Sequence, residues 1–251
     1  MYIYGVFHKL NADFLNPEVS CANALWRDIP LPFDALAFPV FGYLTIYGTL
    51  VIELLILIFL LLPSLRYWGV ILGVGFHSLL ALSDYAFYAA FSMLSLVLHL
   101  LFLSDKAAHN ILSSPLWQRA IRLKDSWSGR LLAGAYLAII ALYAHAGLYP
   151  VASAAWLAVV IPLLGLIIKY GRDVSDTRTW EIFVSRRWGL NLISIAFFIN
   201  GLMPYLGLKT AQSINMFANL RLEAGESNHL ILHKAPGPFT YLEDLVKIDS
   251  A

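Results

Sequence analysis

The chain has 251 residues, 59% of them apolar and only 13% charged, with a mean hydropathy of +0.70. Soluble domains run nearer ~25% charged, so this chain lacks the polar surface to coat a water-soluble particle, which excludes an ordinary cytosolic enzyme and a disordered protein. The net charge of +1 leaves no basic footprint for nucleic acid, and the single cysteine, Cys21, excludes an internal disulfide framework or a multi-cysteine zinc site. What remains is an all-α, polytopic integral membrane protein.

A membrane helix needs ~20 mostly apolar residues, because each adds ~1.5 Å and the hydrocarbon layer is ~30 Å thick. Taken in chain order, Tyr43–Leu62 is the first such run, with Glu53 as its only charge. Tyr67–Leu103 would reach ~55 Å as one helix, too long for a bilayer. It divides at Ser83-Asp84-Tyr85 into two short spans, Tyr67–Ser83 and Phe87–Leu103, and a re-entrant pair or a single pass is the alternative. Leu131–Tyr149 carries no charge, and Val151–Ile168 follows it across Pro150 as the second arm of a tight hairpin. Gly189–Leu206 closes the series, carrying Asn191, Asn200 and Pro204. The expectation is a bundle of about six spans over residues 1–207, with a short polar extramembrane extension over 208–251. In that extension His229–His233 reads as a short strand, Ala235–Pro238 as a turn and Tyr241–Ile248 as a short amphipathic helix.

Lysine and arginine placement orients the bundle. Ser104–Arg130 holds Lys106, Arg119, Arg122, Lys124 and Arg130, and Gly171–Trp188 holds Arg172, Arg178, Arg186 and Arg187. Two spans separate these loops, so both face the cytoplasm. Six spans then place residues 1–36 and 208–251 outside and, with Arg66 and Lys169 counted, 11 basic residues lie inside against 6 outside. The expected location is a bacterial plasma membrane.

Three stretches could carry chemistry. In Gly5–Phe14 a lysine, Lys9, stands among aromatic and aliphatic residues. Desolvation disfavours an ammonium, and a sheltered lysine can serve as a general base. The plainer reading is an interfacial anchor whose ammonium snorkels out of lipid. The second stretch is Gly75-Phe76-His77-Ser78, with Asp84, Phe91, Ser92 and His99 beyond it. Ionisable groups inside a membrane segment usually face a bundle interior or a wet cavity. His77 there either handles a proton or makes an interhelical hydrogen bond. The third stretch, Leu206–His229, concentrates Asn219, Arg221, Glu223 and His229 just beyond the last span, as a pocket lid or a satisfied loop network. Glu226-x-x-His229 has the spacing of a metal pair on a helix, but Gly225 and Ser227 argue against one, and no metal is expected. Glu53, central in the first span, is protonated, paired or lining a cavity, since an isolated charge at that depth costs ~2.5–3.5 kcal/mol or more. There is no phosphate-binding glycine loop, nucleophile elbow or HExxH.

These stretches also carry a family resemblance. GVFHKLNADFL is similar to the segment of vitamin K-dependent gamma-carboxylases that reads roughly GVKKLDADW, and GFHSLLALSDYAFYAAFSMLSL resembles that family's FH…F-S stretch. GLMPYLGLKTAQSINMFANLRLEAGESNHLIL looks like the segment closing the membrane domain of the bacterial relatives, the HTTM (horizontally transferred transmembrane domain) proteins. The resemblance implies that Lys9 stands where the carboxylases hold the base that deprotonates a reduced quinone. His8 falls on the preceding lysine, Asn11 on an aspartate, Phe14 on a tryptophan and His77 on the family histidine. It further implies a quinol-linked oxygenation or carboxylation, with Asn11, Asn219, Arg221, Glu223 and His229 binding the substrate and further spans upstream of Met1. A non-catalytic scaffold for another membrane protein, or a small-solute conduit, is the alternative.

Overall fold

The computed structural model describes residues 1–29, 39–83, 88–146, 149–173, 181, 183–209, 213–215, 217–234 and 237–242. These residues form eleven α-helices: α1 Tyr2–His8, α2 Ala12–Leu15, α3 Cys21–Arg27, α4 Pro39–Leu61, α5 Arg66–Leu80, α6 Tyr88–Leu100, α7 Asp105–Leu112, α8 Pro115–Asp125, α9 Trp127–Ala146, α10 Tyr149–Tyr170 and α11 Trp188–Leu202. The β-structure among them is one antiparallel bridge, Asn11 to His229. The expected strand at His229–His233 is therefore reduced to a single paired residue. The expected helix at Tyr241–Ile248 lies outside the described residues except for its first two, which form a turn.

The long apolar runs become helices close to their expected bounds. α4 replaces Tyr43–Leu62, and its Val40–Leu61 portion, at a mean hydropathy of 2.5 and 33% buried, is long and apolar enough to cross a membrane. Leu44, Tyr47, Val51 and Leu54 of α4 are each 44–63% exposed. A soluble core helix would bury such a face, and its exposure fits membrane association. α5 and α6 are separate helices of 15 and 13 residues, as the division of Tyr67–Leu103 requires. The loop expected over Ser104–Arg130 contains α7 and α8 instead. Each is started by a serine whose hydroxyl accepts a backbone N–H, Ser104 from Ala107 at 3.1 Å and Ser114 from Trp117 at 3.3 Å, and Pro115 opens α8.

The chain divides into two compact units. One comprises Met1–Trp26, Phe33–Leu57 and Thr179–Ala251, and the other Arg27–Pro32 and Ile58–Arg178. In the first, Phe14, Ala22 and Ile46 form one apolar cluster. Tyr205, Ala218, Leu220 and Leu222 form another, on which Phe7, Leu202 and Leu232 pack. The polar C-terminal segment thus shares a unit with α1–α3. In the second, α5 packs against α6 and α10, and α10 against α7 and α9. Tyr67 donates to the Ile168 carbonyl at 3.0 Å and Trp156 to that of Ser78 at 3.1 Å. The buried Arg66 donates from Nε to the Leu60 carbonyl at 3.0 Å, satisfying one of the acceptors that the end of α4 leaves open.

Candidate functional site

Lys9 terminates α1 and its residue is only 6% exposed. Its Nζ lies 2.5 and 2.6 Å from the two carboxylate oxygens of Glu53, which is 7% exposed on α4. Of the three states open to Glu53, the structure selects the paired one, and it places Lys9 in a bidentate ion pair rather than alone. Phe14 covers the amine, with its ring centroid 5.8 Å from Nζ. Gly5 borders the pair, where a Cβ would lie 3.4 Å from Glu53 Oε2 and 4.0 Å from Lys9 Nζ, so that side carries no side chain.

Asn11, fully buried, starts α2: its Oδ1 accepts from Phe14 N at 2.8 Å. Its Nδ2 donates to the carbonyls of His8 at 2.7 Å and Ala218 at 2.6 Å. This ties Lys9's turn to the polar segment beyond α11. Asn228 adds a second tie, donating to Asp13 Oδ2 at 2.9 Å and to the Asn219 carbonyl at 2.7 Å. Arg221 Nη2 meets the same Asp13 oxygen at 2.6 Å. Asn219 accepts from Cys21 N at 2.8 Å and donates to the Val19 carbonyl at 3.0 Å. Sequence reasoning missed Asp13 and Asn228, neither of which has a helical or strand spacing to its partners.

Two histidines flank this lacing. His229 Nδ1 accepts from Ile231 N at 3.1 Å and Leu232 N at 3.2 Å, so its proton sits on Nε2, which donates to the Phe7 carbonyl at 3.1 Å. Both ring nitrogens are thereby engaged, and burial holds the imidazole below its usual range. His8 packs against Tyr4 and Tyr205, with Nε2 3.2 Å from the Gly201 carbonyl. Burial pushes His8 down to about 4, against the opposite pull of the Ile214 and Gly201 backbones. Both rings are neutral near pH 7.

The backbone beside them is strained. Ile214, Phe217, Asn219 and Ala224 have φ of 62°, 58°, 54° and 52°. Non-glycine residues, and β-branched ones above all, seldom adopt that region. Asparagine takes that region readily, but for Ile214, Phe217 and Ala224 it costs about 1–3 kcal/mol each, and such strain clusters at functional sites. Glu223 lies in the same turn, its carbonyl accepting from Glu226 N at 2.9 Å.

Of the residues singled out from the sequence, Lys9, Asn11, Asn219, Arg221, Glu223 and His229 fall in one unit and His77 in the other. His77 is 2% exposed on α5, with its ring 5.5 Å from Phe91 and 5.7 Å from His99. His99 donates from Nδ1 to the Ser95 carbonyl, 2.6 Å away, and its ring fills the space that Gly73 leaves, where a Cβ would overlap it. Among the described residues no group of three histidine, cysteine, aspartate or glutamate side chains could hold a metal ion. The chain matches no protein-family model, no curated protein and no solved structure.

Proposed function

We propose that this is a polytopic membrane protein in which the Lys9–Glu53 pair takes a proton from a lipid-soluble quinol, as the resemblance to carboxylase-like HTTM domains implies. The observation that carries the reading is the pair itself: an ammonium and a carboxylate almost out of water, with the carboxylate on the one described helix long and apolar enough to cross a membrane by itself. Intramembrane ionisable groups mark functional sites by default. The bare side at Gly5 fits the approach of a hydroxyl group. One proton is already shared between amine and carboxylate, and the pair can hold one more, giving an ammonium beside a neutral acid. A bound quinol would supply the acidic hydroxyl and the electrons: with oxygen it leaves as its epoxide plus one water, and the proton taken by the pair ends in that water. Asn11, Asn219 and Arg221 set the position of the loop beside Lys9.

Residues 1–26 and 217–234 are laced together, which fits an even number of crossings between them. Six spans satisfy this. So do four with α5 and α6 re-entrant, which suits helices of 15 and 13 residues, about 22 and 20 Å long. In both arrangements α7 and α8 face the cytoplasm and the termini lie outside.

The test is oxygen consumption by the purified protein in nanodiscs with reduced naphthoquinone. Wild type turns over, whereas Lys9→Ala and Glu53→Gln lose on the order of 100-fold or more. A Lys9→Ala protein with full turnover removes the proposal. A Lys9→Met/Glu53→Leu double variant, which keeps the site uncharged, serves where the single variants unfold.

A second reading is favoured by the saturation of Asn11, Asn219 and His229 with backbone partners: a non-catalytic scaffold for another membrane protein, or a conduit, in which the pair only ties α1 to α4. It predicts a folded wild type with no quinol-dependent oxygen uptake.

A further inference from the structure

We propose that α8 lies flat on the cytoplasmic headgroup layer and binds anionic phospholipid through Arg119 and Arg122. This inference rests on the membrane reading above. α8 buries none of its residues, although it connects α7, whose Ala107 and Ile111 are buried, to α9. Its sequence is two-faced. Leu116, Ala120 and Leu123 recur at i, i+4 and i+7 with Trp117 and Ile121 beside them, whereas Gln118, Arg119, Arg122 and Asp125 occupy the opposite side. Leu116, Ile121 and Leu123 are 50%, 39% and 43% exposed, so apart from the half-buried Trp117 the apolar face is not covered by protein.

Two features identify the occupant. The first is charge. Among the described residues neither Arg119 nor Arg122 has an ion-pair partner, and Asp125, the one acid of α8, lies 3.8 Å from Lys124. A basic amphipathic helix with a bare apolar face is the form that sits at an anionic interface, and a guanidinium binds phosphate with two parallel donors. Lys124 falls on the apolar side, from which its ammonium can reach the phosphate level. The second is continuity. α9 starts two residues after α8 with Trp127, 75% exposed, and goes on with Leu131, Leu132 and Leu137 at 58–65%. A layer that takes up α9 meets Trp127 at its interface, where tryptophan concentrates, and receives α8 along its surface. α6 and α7 meet at 111°, so the chain has already turned sharply between them.

The experiment places nitroxides singly at Leu116→Cys, Gln118→Cys, Ala120→Cys, Arg122→Cys and Leu123→Cys, in a Cys21→Ala background. The full chain is reconstituted in vesicles of phosphatidylcholine with phosphatidylglycerol, with Leu54→Cys on α4 as the control. Expected is a helical alternation, with positions 116, 120 and 123 open to oxygen but closed to a water-soluble nickel chelate, and 118 and 122 the reverse. In pure phosphatidylcholine, or with Arg119→Gln/Arg122→Gln, immersion weakens, by about fivefold in partitioning for each charge lost. Equal chelate access along α8 while position 54 stays immersed overturns the inference and leaves the membrane reading standing; access at position 54 as well removes that reading too. Alternation indifferent to lipid charge and to the arginines overturns lipid recognition. Positions 116, 120 and 123 closed to both reagents would put protein, not lipid, on this face and overturn it equally.

Discussion

A double-mutant cycle on Lys9 and Glu53 tests how the pair holds α1 to α4. Both side chains are nearly dry, 7% and 10% exposed, and the amine meets both carboxylate oxygens within 2.6 Å. Removing one partner strands the other charge away from water, at a cost of about 3–5 kcal/mol, whereas replacing both by apolar groups of similar volume is often neutral. Lys9→Met and Glu53→Leu should therefore each destabilise by about 3–5 kcal/mol, and the double variant should lie within about 1–2 kcal/mol of wild type. The stranded carboxyl or amine can change its protonation to soften the loss, which sets the lower end of that range. The assay is reversible unfolding in mixed detergent micelles, followed by circular dichroism. Single losses that add to within about 0.5 kcal/mol in the double variant would mean no coupling, and the pair would not hold the site together.

Gly73→Ala and Gly201→Ala should each destabilise by about 1–3 kcal/mol, because the added Cβ meets the His99 ring in the first case and the Tyr4 ring in the second. Helix propensity alone favours alanine by up to about 1 kcal/mol, so increased thermal stability would refute the packing argument. Lowering the pH from about 6.5 towards 4 should weaken the fold. His8 has a folded value near 4 against about 6.5 when unfolded, so the unfolded chain binds the extra proton in that window. The stability at stake is present in full above 6.5 and amounts to up to about 3 kcal/mol. A His8→Gln variant should show a flatter dependence, with His229, depressed by the same cause, contributing to the slope that remains. Asn11→Ala removes the start of α2 and leaves the Ala218 carbonyl short of a donor, for a loss of about 2–4 kcal/mol in chemical denaturation.

Helices α4, α9, α10 and α11 were readable because an apolar run of near-bilayer length with at most one charge permits few other structures. The break between α5 and α6 was readable because one helix over Tyr67–Leu103 would be too long. α7 and α8 were missed because their charge gave the segment the look of a loop, although Ser104, Ser114 and Pro115 are helix-start signals of the usual kind. The site was half legible. Residue types draw attention to Lys9, Asn219 and Glu53, and the family resemblance to Asn11. The pairing of Lys9 with Glu53, 44 positions on, follows no periodicity, and neither does the lacing of Asn228 to Asp13. The resemblance gives His229 a substrate-binding role; in the fold its two nitrogens meet the backbone at Phe7, Ile231 and Leu232, which no sequence spacing indicates.

The bond from Asn11 to the Ala218 carbonyl joins positions 207 apart. During synthesis α1 and α2 leave the ribosome long before their carbonyl partner exists. The amino-terminal helices must therefore wait, incompletely satisfied, until translation is nearly over. A product cut short before Ala218 would leave Asn11 Nδ2 one acceptor short, so this distant bond forms only on a chain translated past that point.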